Sequence, residues 1–186
     1  MPTAFDRFKR EGEIIGRLVI EYGEMEWDFC LLVSAIIGDL DPALKAMYRT
    51  RGETQRIDVG DALARSRLPA GRIRTLYEET VSHMRTCLKL RNQYAHTNWI
   101  DDPTDGLTFV KIEDIAQSHA KADTANLQRY RLTAEIVEDQ QRFFVDVFQN
   151  MRYLNLEIRS LDGSQPSSGF HYVSPMRLPM EAKALG

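Results

Sequence analysis

Cysteine is scarce: the 186 residues include 2, Cys30 and Cys87. They fall on separate predicted helices and match no zinc or redox spacing, which fits reduced thiols better than a disulfide framework, and neither thiol is given a chemical role. Long apolar runs are also missing. None approaches the roughly 18 residues needed to cross a bilayer, and the first residues lack the charged-then-apolar layout of a secretory signal. The expectation is a soluble cytoplasmic protein with no membrane association. Positive charge is not in excess either. A formal net charge of -3 excludes a generally basic nucleic-acid binder, so any anionic ligand must be recognised by a local patch. His83, His119 and His171 are scattered, with no second His or Cys at ligand spacing, and read as ordinary histidines rather than metal ligands. The run from Asp101 to Gly106 is rejected as a calcium loop because Pro103 and Ile112 occupy its third and twelfth positions. No metal or other cofactor is expected.

What is present is helical periodicity. With 43% hydrophobic residues the chain can build one sizeable core, and a single domain over residues 1–161 with an irregular tail over 162–186 is expected. Ile14, Leu18, Tyr22, Met25, Phe29, Val33 and Ile36 recur every three or four positions and predict a long helix from about Asp6 to Ile37. Asp41-Pro42 reads as an N-cap and first helical position of a short helix through Tyr48. A further helix over about Glu53 to Ser66 carries Gly60 in its interior, against its propensity. After Pro69-Ala70-Gly71 a second long stripe runs through Ile73, Tyr77, Val81, Met84, Leu88 and Ala95 and could extend to Trp99. Extended segments near Asn98–Asp101 and Leu107–Ile112 flank the turn-rich Asp102-Pro103-Thr104-Asp105-Gly106 and predict a hairpin. Thr133 can cap a last long helix with Val137, Phe144, Val147, Phe148, Met151 and Ile158 on its apolar face. The fold class is all-α: an up-down bundle of three long helices, with short accessory helices and a small β-hairpin insertion.

One segment does not fit a plain core helix. Arg91-Asn92-Gln93-Tyr94-Ala95-His96 sets an arginine, an amide and an imidazole at the end of the second long stripe. At about 100° per residue, Arg91 and Asn92 fall on either side of the line through Val81, Met84, Leu88 and Ala95, and His96 lies one turn beyond Asn92 on the same edge. A guanidinium keeps its charge, so burying one without a partner costs several kcal/mol. Arg91 must therefore be paired internally or used on a ligand.

An Arg, a polar residue and, after four intervening positions, a His, near the end of a long helix in an all-helical bundle, resembles the Rx4-6H motif of the higher eukaryotes and prokaryotes nucleotide-binding (HEPN) superfamily. The matching residues are Arg91, Asn92 and His96. Many active members are metal-independent ribonucleases whose catalytic helices pair across a homodimer. The resemblance therefore implies a homodimeric endoribonuclease or RNA-binding relative acting on single-stranded RNA, with a cognate antitoxin or nucleotidyltransferase-type partner. Some toxin members carry Tyr two residues after the His, where this chain has Asn98. The residue types suit the chemistry: an imidazole moves protons near neutrality, and Arg91 could stabilise charge on phosphoryl oxygens while Asn92 orients the His or the phosphate.

A purely structural use of the same residues is the alternative. Glu26 sits on the edge of the first stripe, between Tyr22 and Phe29, and is the expected core partner of Arg91, or a group that orients it. The chain would then be a non-catalytic protein-interaction module. Trp27, Trp99, Tyr22 and Tyr94 are read as core or interface aromatics before base-stacking ones. Arg49, Arg51 and Arg56 form the best local basic patch.

Overall fold

The structure, a computed structural model, describes residues 3–117, 127–161, 163 and 171–185. His119 and residues 164–170 of the expected tail lie outside them. The chain is mainly helical, with a small antiparallel sheet. In chain order the elements are α1 (Ala4–Arg7), α2 (Lys9–Ile37), α3 (Leu40–Tyr48), α4 (Glu53–Arg65), α5 (Arg72–Ala95), β1 (Thr97–Asp102), β2 (Gly106–Lys111), α6 (Ile112–Gln117), β3 (Arg129–Arg131), α7 (Ala134–Leu161) and β4 (Lys183–Ala184). The three long stripes became α2, α5 and α7. Among the described residues no helix is long and apolar enough to cross a membrane.

Two compact units divide the chain. One holds Met1–Ile20, Leu90–Phe143 and Arg177–Gly186, the other Glu21–Lys89 and Phe144–Met176. In the second unit Tyr22, Met25, Phe29, Met47, Ile57, Tyr77, Met84 and Phe144 are fully buried. Gly60 is explained here. A Cβ on it would lie 2.7 Å from Cε1 of Phe29 and 3.1 Å from Sδ of Met47, so only glycine lets the Phe29 ring rest against the α4 backbone, and that packing offsets the low helix propensity. The cap of α3 differs from the expected one. Asp39, not Asp41, is the N-cap, and its carboxylate accepts from the Asp41 N–H at 3.0 Å. Both Asx residues have the right chemistry, and the extended backbone of Asp39 decides between them. Cys30 and Cys87 are buried free thiols, and burial pushes both of them up.

In the first unit the expected helix start at Asp6 is interrupted at Phe8, which separates α1 from α2. Phe5 of α1 then lies over Gly12, with Cδ1 2.8 Å from where a Cβ would stand. The hairpin forms as the turn chemistry requires. Asp102 Oδ1 accepts from the N–H groups of Thr104 and Asp105 at 2.8 and 3.0 Å, and Gly106 takes φ 81°, an Asx-type turn closed by the residue that tolerates positive φ. The hairpin is part of a larger sheet, however. Its order is β1-β2-β3-β4, with each neighbouring pair antiparallel. β4 comes from the segment expected to be irregular. Asp139 of α7 ties that segment down, accepting from the Met180 N–H at 2.8 Å and from Arg177 at 2.6 Å. Thr133 caps α7 as expected, accepting from Ile136 N at 3.4 Å.

Candidate functional site

The last turn of α5 carries the motif, and Tyr94 fixes how it is presented. Tyr94 is 3% exposed. Its ring packs 5.7 Å from Trp99 and edge-on at 6.3 Å from Phe109, and Trp99 in turn meets Phe5 at 5.1 Å. The Tyr94 hydroxyl donates to Gln140 Oε1, and Gln140 Nε2 donates to the Met180 carbonyl at 2.7 Å. Burial pushes the Tyr94 hydroxyl up, with the Gln140 contact opposing it. This buried anchor turns one edge of the helix end inward, while Ala95 and His96, which follow it, are exposed.

Arg91 and Asn92 are half-buried, whereas His96 is exposed. Nη1 of Arg91 donates to Oδ1 of Asn92 at 2.8 Å. The His96 N–H donates to the Asn92 carbonyl at 3.1 Å, closing the helix. The chain then leaves α5 directly as β1, where Thr97 Oγ1 donates to the Val110 carbonyl at 2.8 Å. An exposed imidazole is thus held at a helix-to-strand junction, within one turn of an arginine–asparagine pair. This arrangement can exchange protons with an external ligand and present amide and guanidinium donors to an anion.

Glu26 lies in the other unit and is 7% exposed. One of its partners is Arg56, a residue of the basic cluster with Arg49 and Arg51. Arg56 Nη1 pairs with Glu26 Oε2 at 2.9 Å, while the Arg56 guanidinium stacks over the Tyr48 ring at 5.5 Å and Nε donates to the Thr50 carbonyl at 3.4 Å. Burial, then the Glu26 charge, push the Tyr48 hydroxyl up. Arg56 is therefore a core partner rather than part of a phosphate patch, while Arg49 and Arg51 stay exposed. Spacing gave no signal for a pair that joins α2 to α4.

Of the aromatics weighed for base stacking, Tyr22 and Tyr94 are core residues, Trp99 belongs to the cluster around Phe109, and Trp27 is 42% exposed. Among the described residues no three His, Cys, Asp or Glu side chains converge to hold a metal ion. Comparison with protein-family models, with curated proteins and with solved structures found no match.

Proposed function

We propose that this chain is a HEPN-like, metal-independent endoribonuclease, or an RNA-binding relative of one, working in the cytoplasm as a homodimer built on an up-down arrangement of the three long helices. What supports the reading is the exposed His96 one turn after Asn92, whose side chain Arg91 engages at 2.8 Å. Cleavage by attack of a 2′-hydroxyl on the adjacent phosphorus needs a proton taken from that hydroxyl and one given to the departing 5′-oxygen. His96 serves proton transfer, and Arg91 supplies a donor fork for the phosphoryl oxygens. Asn92 holds Arg91 in register or donates its amide to the phosphate. A cognate antitoxin or nucleotidyltransferase-type protein is the proposed partner.

A second reading takes the Arg91–Asn92 hydrogen bond as a lock on the helix end in a non-catalytic interaction module. One experiment separates the two. Purified protein is incubated with single-stranded RNA in the presence of EDTA, alongside Arg91→Ala and His96→Ala. Loss of cleavage in both variants at unchanged helical content is the expected result. An inactive wild-type protein would favour the interaction module, and retained cleavage in either variant would remove that residue from the mechanism.

A further inference from the structure

Strand register brings a second cation to the motif. β1 starts one residue after His96, and Thr97, its first residue, pairs with Lys111, the last residue of β2. Antiparallel partners have Cα atoms about 4.5–5.5 Å apart and side chains on one face, and one trans peptide adds about 3.8 Å. The Cα atoms of Lys111 and His96 are therefore within about 9 Å of each other. A lysine arm and an imidazole starting from that separation can reach neighbouring oxygens of the same phosphodiester chain.

Three cations on or beside this sheet, Arg129 and Arg131 of β3 and Arg7 of α1, are already committed. Arg129 pairs with Asp102 at 3.0 Å, Arg131 pairs with Asp105, and Arg7 reaches Asp101 at 2.9 Å. Lys111 forms no ion pair with any described side chain, those of residues 113–115 not being among them. Its ammonium sits 4.3 Å from the centroid of Tyr130, whose ring is stacked on Phe109 at 5.4 Å and 18°. A cation over a tyrosine face at a half-exposed position is weakly held. The ring steadies the arm without neutralising it, so the charge stays available to an anion.

We propose that Lys111 is a substrate-binding residue that takes a backbone phosphate of single-stranded RNA next to the phosphodiester presented to His96. The inference rests on the RNA reading above and adds to it a contact contributed by the sheet. Binding is an ionic contact here, with counterions released from the RNA, and no bond is made or broken.

The test uses the full chain in a His96→Ala background, so that bound RNA survives. Affinity for a fluorescent single-stranded oligoribonucleotide is measured by anisotropy from 50 to 200 mM salt, with Lys111→Met and Lys111→Arg beside the parent. Lys111→Met should bind about 5- to 10-fold more weakly at the low-salt end, with the slope of log K against log salt reduced by about 0.7. Lys111→Arg should restore both, and melting temperatures should agree. An unchanged slope in Lys111→Met while the parent binds RNA overturns the assignment and leaves the RNA reading standing. Weaker binding with a lowered melting temperature and an unchanged slope assigns Lys111 a structural role over Tyr130 and also overturns it. A parent that does not bind RNA, together with a wild-type protein that does not cleave it, overturns both.

Discussion

Asp139 holds the C-terminal segment against α7, and replacing it with alanine should release that segment. The residue is 7% exposed, and its carboxylate accepts from three donors: the Met180 N–H at 2.8 Å, Arg177 at 2.6 Å and Arg142 at 3.3 Å. The two arginines are 74% and 67% exposed. Solvent screens them, so each contributes roughly 0–1 kcal/mol. The backbone donor to a charged, buried acceptor contributes about 1.5–3 kcal/mol. Asp139→Ala should therefore destabilise the protein by about 2–4 kcal/mol, read from urea midpoints followed by circular dichroism. It should also speed hydrogen exchange at Met180 and at Leu185, whose N–H donates to the Arg129 carbonyl at 2.9 Å. The pH dependence follows from the same contacts. Burial pushes the Asp139 carboxyl up, but the Met180 N–H and the two guanidiniums outweigh it and hold the group below its ordinary value of 3.8. A lowered folded-state pKa contributes stability above the unfolded value and loses it as pH falls through the folded one. The gap between wild type and Asp139→Ala should hold at neutral pH and shrink below about pH 3.8. Equal midpoints at pH 7, or a gap that persists unchanged to pH 2, would refute the reasoning.

Two further substitutions probe buried polar groups. Tyr94→Phe keeps the ring contacts but takes the donor from Gln140, which is 0% exposed. A loss of about 1–3 kcal/mol is expected in thermal or urea unfolding, and a neutral result would show that the Gln140 acceptor finds another donor. His83 is 9% exposed, and burial pushes its imidazole below the ordinary 6.5 against the opposing charge of Glu79. The folded state thus resists a proton that the unfolded chain accepts. Stability should fall as pH drops from about 6.5 through the folded value. His83→Gln should remove that part of the decline, so the two proteins' urea midpoints should separate differently at pH 7.5 and pH 5.5. A constant difference between them would contradict the burial argument.

What the sequence conveys about this chain depends on how local each determinant is. The stripes of α2, α5 and α7 repeat over many turns, and the Asp102 to Gly106 turn carries its own chemistry, so both could be read directly. β3 and β4 have three and two residues. Strands this short contain no alternation to recognise, and their existence depends on partners far away in sequence, as does the pairing of Glu26 with Arg56. The motif shows the same boundary within six residues. On the wheel His96 shares an edge with Asn92, yet Asn92 is half-buried and His96 is exposed. The helix ends at Ala95, and beyond it a wheel has no meaning. From Thr97 onward, neighbours are set by the β1–β2 register, which is why a lysine fifteen residues downstream of His96 stands across from the strand that follows it. The helical half of the candidate site is thus periodic, and what the proposed contact from the sheet depends on, the Thr97–Lys111 register, exists only once the strands have paired.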